Sequence, residues 1–190
     1  MFLHIPKTAG QFVLSFLHKY KTKNARAGSH VTYDQEIKDG TKPYLFVRNP
    51  WDWYVSRWVY NLYCQKQYFK CTFKEHLKGL PSFDTSVIIK PPNKDMREFI
   101  WKCRTLEEWC SYMSCGQQIS IFAMENIVEA MKNIVVIENI NLDDEKIEEF
   151  CTNTIASIPH PHYRTYYDEE SKELVCQYDK EIIEKFNYSF

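Results

Sequence analysis

A chain of 190 residues, 44% of them hydrophobic with only five glycines and eight prolines, can bury one sizeable core, and one domain spanning residues 1–190 is the expectation. A formal net charge of −1 excludes the basic footprint of a nucleic-acid binder, and no apolar run reaches the roughly 18 residues of a membrane helix. With no export signal in view the chain reads as soluble and cytoplasmic. Its seven cysteines, none spaced Cys-x-x-Cys, are expected as reduced thiols, with a local bridge among Cys103, Cys110 and Cys115 left open.

Residues 2–5 read as a buried strand. They break into Pro6-Lys7-Thr8-Ala9-Gly10, after which Phe12, Val13, Phe16, Leu17 and Tyr20 recur at helical spacing. Strand, turn and helix in this order make an anion-binding loop. The helix N-terminus offers unpaired N–H groups and the positive end of its dipole, Lys7 adds a full charge, and Gly10 is expected to let the backbone approach a ligand closely. Lys19, Lys21, Lys23 and Arg26 then form a basic cluster that suits either an anionic polymer or a solvated helix end.

Residues 44–47 are a second strand, followed at once by Arg48. Asn49 is placed to N-cap, Pro50 to take the first helical position and Asp52 the third, ahead of a helix with Trp51, Tyr54, Val55, Trp58 and Leu62 on one face. Residues 64–118 are the least legible, with a loop at 90–94 and a helix over 96–109 carrying Trp101 and Trp109. A third strand is expected at 134–137. A helix starts at Asp143 or Asp144 with Ile147, Phe150, Cys151 and Ile155 as its apolar residues. One last helix, capped by Asp168, carries Leu174, Val175, Tyr178, Ile182 and Phe186.

Strands alternating with helices predict an α/β fold with a central parallel sheet flanked by helices. Ligands of such sheets bind at the carboxyl ends of the strands, so the two strand-to-helix switches, each with a cation, predict a ligand with two anionic groups. The loop of nucleoside triphosphatases and kinases needs several glycines followed by Lys and Ser or Thr; here Lys7 precedes a lone glycine, and no residue is placed to hold a metal in the usual way.

The run from His4 to Gly10, the segment Val47-Arg48-Asn49-Pro50-Trp51-Asp52-Trp53-Tyr54-Val55-Ser56, and the ending from Tyr163 to Asp168 and from Phe186 to Phe190 stand in the order of a known family. The chain resembles the sulfotransferases dependent on 3′-phosphoadenosine 5′-phosphosulfate (PAPS), in the carbohydrate-modifying branch. The resemblance implies a P-loop-like three-layer domain that uses PAPS, yields 3′-phosphoadenosine 5′-phosphate (PAP) and needs no metal. Lys7, with Thr8, Ala9, Gly10, Gln11 and Phe12, would hold the 5′-phosphosulfate through charge and backbone N–H groups, and Lys7 would stabilise the leaving phosphate. Arg48 and Ser56, eight residues apart, would grip the 3′-phosphate.

For the acceptor hydroxyl, His30 stands where relatives carry a catalytic histidine, with Glu36 as the alternative base. The implied acceptor is a carbohydrate or another hydroxyl compound. Gln11 and Phe12 depart from the hydroxyl residue common after the glycine, and Trp53 stands where an Arg is common. A binding protein of the same fold that has lost catalysis, and a small kinase-like nucleotide enzyme, are the competing readings. Of the remaining residues, His4 is expected to orient the loop, and the His160-Pro161-His162 run reads as a polar loop before a metal pair. Arg164 is open between a ligand contact and a surface ion pair, and at least two of Trp51, Trp53 and Trp58 are expected in the core.

Overall fold

Among the described residues, three short strands pair in parallel in the order β1 (Phe2–Leu3), β2 (Tyr44–Val47), β3 (Ser120–Ala123). The register sets Phe2 opposite Tyr44, Leu3 opposite Leu45, and Val47 opposite Ala123. The molecule is a computed structural model that describes residues 1–20, 42–64, 71–79, 105–115, 117–152 and 158–190. Outside them lie His30 and Glu36, Lys21, Lys23 and Arg26, the expected loop at 90–94, Trp101, Cys103 and Ile155. β2 is buried along its whole length, as a continuous apolar run in the middle of a parallel sheet requires. Parallel pairing needs crossovers, and helices lie in both connections: α1 (Gly10–Lys19) after β1, and α2 (Pro50–Cys64), α3 (Phe73–Gly79) and α4 (Leu106–Ser114) between β2 and β3. The chain is thus mixed α/β, with a small parallel sheet flanked by helices.

The described residues group into two compact units, each assembled from two stretches of chain: 1–48 with 110–157, and 49–109 with 158–190. The first holds the sheet, α1, α5 (Ile127–Ile137) and α6 (Asp144–Thr152). Phe12, Val13, Phe16 and Leu17 of α1 share one core cluster with Tyr44, Phe46 and Ile134. Burying each such side chain contributes about 1.5–3 kcal/mol. Residues 134–137 are not the expected strand. They are the last turn of α5, where Ile134 and Val135 continue the buried stripe begun by Ala130 and Met131 while Val136 is 80% exposed. A four-residue apolar run carries no period of its own, and here the preceding turns supply the helical one. The third strand is Ser120–Ala123, an edge strand of which only Ala123 is buried, so its sequence carries little apolar signal.

The second unit contains α2, α3, a 3-10 turn (Tyr163–Tyr166), α7 (Glu169–Tyr178) and α8 (Lys180–Phe186). Asp168 caps α7 in a full capping box, accepting from the Ser171 N–H at 2.8 Å while the Ser171 hydroxyl oxygen accepts from the Asp168 N–H at 2.9 Å. The expected single last helix is broken in two at Asp179 (φ −128°, ψ 38°). That residue is buried, and its Oδ1 accepts from the Glu107 N–H at 2.8 Å. Glu107 Oε1 in turn accepts from the Glu181 N–H at 2.5 Å, so the first turns of α4 and α8 cap each other. Neither Cys110 nor Cys115 is joined in a disulfide bridge. Among the described residues, no helix is long and apolar enough to cross a membrane.

Candidate anion-binding site

The loop between β1 and α1 is built by its own backbone. Lys7 (φ 67°) and Ala9 (φ 61°) take the left-handed conformation, and Thr8 between them does not. Alternation of this kind turns successive N–H groups into one concavity, an arrangement that accepts anions. Thr8 is fully buried, and its Oγ1 donates to the Ile5 carbonyl at 2.8 Å. Its hydroxyl therefore closes the turn and its backbone is what remains for a ligand. Ala9 is the N-cap of α1 and supplies no side-chain hydrogen bond, while its carbonyl accepts from the Val13 N–H at 3.0 Å. The first turn of a helix has no carbonyls of its own for its N–H groups, which here belong to Gly10, Gln11 and Phe12. No acidic residue stands in that turn, and His18 and Lys19 stand in the last one, so the dipole keeps its positive end open at the loop.

The side chains around this loop divide by role. Lys7 is half-buried and Gln11 exposed. Phe12 is 7% exposed and packs edge-on against Phe150 at 5.1 Å, so its contribution to a ligand reduces to its N–H group. Gly10 has an ordinary φ, and a Cβ there would strike the His4 ring, so its lack of a side chain makes room for His4. Lys19 lies 5.3 Å from the Tyr20 and Phe150 ring centroids, a packed helix end.

Because β1 and β2 are parallel and Leu3 pairs with Leu45, the loop after β1 and Arg48 after β2 leave the sheet at the same edge. The structure thus brings Lys7 to Phe12 and Arg48 to one rim. The two switches differ in character. At the second, Asn49 Oδ1 accepts from the Asp52 N–H at 3.4 Å and Asp52 itself stands in the first turn, so α2 is capped by its own residues. Ser56 sits in the second turn of α2, 3% exposed, in the other unit.

Two of the three tryptophans near the start of α2 are closed to stacking on a ligand by burial. Trp51 and Trp53 are buried. Trp51 Nε1 donates to the Lys172 carbonyl at 3.2 Å and its ring meets Phe190 at 5.7 Å, while the Arg57 guanidinium lies 5.1 Å from the Trp53 ring. Trp58 is half-buried, donating to the Cys71 carbonyl at 3.2 Å. Arg164 lies over the Tyr163 and Phe190 rings at 5.8 and 5.7 Å. His160 Nδ1 lies 2.8 Å from the Pro161 carbonyl, and His162 Nδ1 accepts from the Arg164 N–H at 3.4 Å. Among the described residues no three His, Cys, Asp or Glu side chains gather as a metal group, and the Nδ1 atoms of His160 and His162 both meet backbone groups of this run.

The sequence reading missed the buried titratable residues of the second unit. Burial pushes the Asp179 carboxyl up to about 7, against the backbone N–H of Glu107 and the Tyr54 hydroxyl, which pull it down. Burial, with Arg57 nearby, pushes His76 down to about 3. The only signal for Asp179 in the sequence is an acid inside an apolar helical stripe. A scan against protein-family models and searches of curated proteins and of solved structures return no match to this chain.

Proposed function

We propose that the chain is a PAPS-dependent sulfotransferase of P-loop-like three-layer fold, transferring a sulfuryl group to an acceptor hydroxyl of a carbohydrate. The observation that carries this reading is the loop from Ile5 to Phe12: alternating φ signs, a helix start whose N-cap residue supplies no side-chain hydrogen bond, no acid in the first turn and a lysine within the turn. Arg48 at the same sheet edge supports a second anionic group on the ligand. In the proposed reaction the acceptor oxygen forms a bond to sulfur as the bond from sulfur to the phosphate oxygen breaks. Lys7 and the N–H groups of the loop meet the charge growing on that phosphate. His30 takes the hydroxyl proton, Arg48 holds the 3′-phosphate, and Glu36 is the alternative base. A sulfuryl group carries less charge than a phosphoryl group, so its transfer needs no metal to neutralise it.

Calorimetric titration with PAP tests the reading. Saturable binding is expected, weakened about ten- to a hundredfold in Lys7→Ala and Arg48→Ala, as loss of a charge-assisted phosphate contact implies, and unmatched by magnesium-ATP. A preference for magnesium-ATP would return the chain to the kinase-like reading. A second reading, an anion-binding protein without catalysis, draws on Gln11 and on the engaged Thr8 hydroxyl, which leave the loop without a free side-chain hydroxyl. PAP binding without turnover on any acceptor would favour it.

A further inference from the structure

The glycine at position 10 is explained by what lies behind the loop. A Cβ built there falls 1.7 Å from His4 Nε2, 1.9 Å from Cδ2 and 2.4 Å from Cε1, so the edge of the imidazole fills the volume that every other residue uses for its first side-chain carbon. The ring is held from its other side. It stacks on Phe2 at 5.7 Å and 27°, and Phe2 stacks on Tyr44 of the neighbouring strand at 5.8 Å and 26°. A column of three rings thus runs from the centre of the sheet to the first residue of α1.

We infer that His4 is the positioning residue of the anion loop: its ring edge, seated against Gly10, sets where α1 begins and hence where the first N–H groups of the helix point. Its functional consequence rests on the anion-loop reading above; the lock between positions 4 and 10 does not. Two left-handed residues, each costing about 1 kcal/mol or more outside glycine, need surroundings that over-determine them. Thr8 ties the loop to Ile5 on one side, and the His4 ring blocks the helix start from settling inward on the other. A ring is suited to this because it is flat and rigid, and the imidazole also keeps a nitrogen edge beside the helix N-terminus, where its resonance reports on charge arriving at the loop.

A size-swap experiment decides it, with PAP and inorganic sulfate as probes and thermal unfolding as the fold control. Gly10→Ala is expected to weaken PAP binding about ten- to a hundredfold, the effect of forcing an atom into filled space. In a His4→Ala background the same substitution is expected to cost little, because the volume is then vacant. Equal losses in both backgrounds would overturn the lock. Should Gly10→Ala fail to fold, the wild-type chain still decides by nitrogen NMR of its histidines: on saturation with PAP the His4 imidazole resonances shift and those of His18, at the far end of α1, do not. Unmoved His4 resonances with PAP bound would remove His4 from the loop's workings. If neither probe binds the wild-type chain, the anion reading falls. The swap is then read on the thermal unfolding and amide spectra of Lys7 and Ala9, where coupling between positions 4 and 10 supports the lock and additivity overturns it.

Discussion

Ala9 holds a conformation that its side chain disfavours. At φ 61° and ψ 18° it is the N-cap of α1, a place where glycine has no steric penalty. Ala9→Gly is expected to stabilise the protein by about 1 kcal/mol, the relief of left-handed strain less the added freedom of the unfolded chain, as read by urea unfolding. At Asp179 the conflict is between charge and burial. Its folded value of about 7 lies above the ordinary 3.8, so folding favours the protonated form. The stability this contributes is full below about pH 4 and is lost as pH rises toward 7. Asp179→Asn keeps an acceptor for the Glu107 N–H and never ionises. Its melting temperature is expected to exceed that of the wild type by an amount that grows across this window, to about 5 °C or more at pH 8. His76, held low at about 3, acts with the opposite sign and gains stability as pH rises toward 6.5, so the difference between variant and wild type is the quantity to measure. A difference independent of pH would show that Asp179 ionises freely in the folded chain.

The two helices that follow strands are opposite in design. α2 is satisfied at its start by Asn49 and Asp52, whereas α1 has neither a side-chain cap nor an acid in its first turn. A helix start left open gives up about 1 kcal/mol or more of capping energy, and binding an anion is one use for that sacrifice. Gln11→Glu is therefore expected to do two things at once. A carboxylate in the first turn stabilises α1 by about 0.3–1 kcal/mol in thermal unfolding, and the same charge, set where the ligand would sit, weakens PAP binding about tenfold or more. Stabilisation with unchanged affinity would place the bound anion elsewhere. Elements were legible where their signals are local. The cap at Asp168, the start of α2 and the span of α1 each follow from residues within one turn of each other. The third strand and the broken last helix were not, because Ser120–Ala123 is defined by its partner β2, and the break at Asp179 by the Glu107 N–H some seventy positions away in the chain.

At the scale of the whole chain, each compact unit is assembled from two separated stretches, so a pattern read along the chain could not show which segments share a core. The sheet edge was foreseeable in kind. Two strands each followed by a helix, if parallel, must open their loops on one side, and the register of Leu3 with Leu45 bears that out for Lys7 and Arg48. By itself the sequence determined the α/β class and the strand-turn-helix at residues 2–19, because these depend on period and on hydrogen bonds among near neighbours. Only the tertiary structure decided that 134–137 is helix, that Asp179 is buried, that Trp51 and Trp53 are core residues, and that Gly10 exists to admit the His4 ring. Each of those turns on which atoms compete for the same volume or the same hydrogen bond, and such competition is settled by the packed fold.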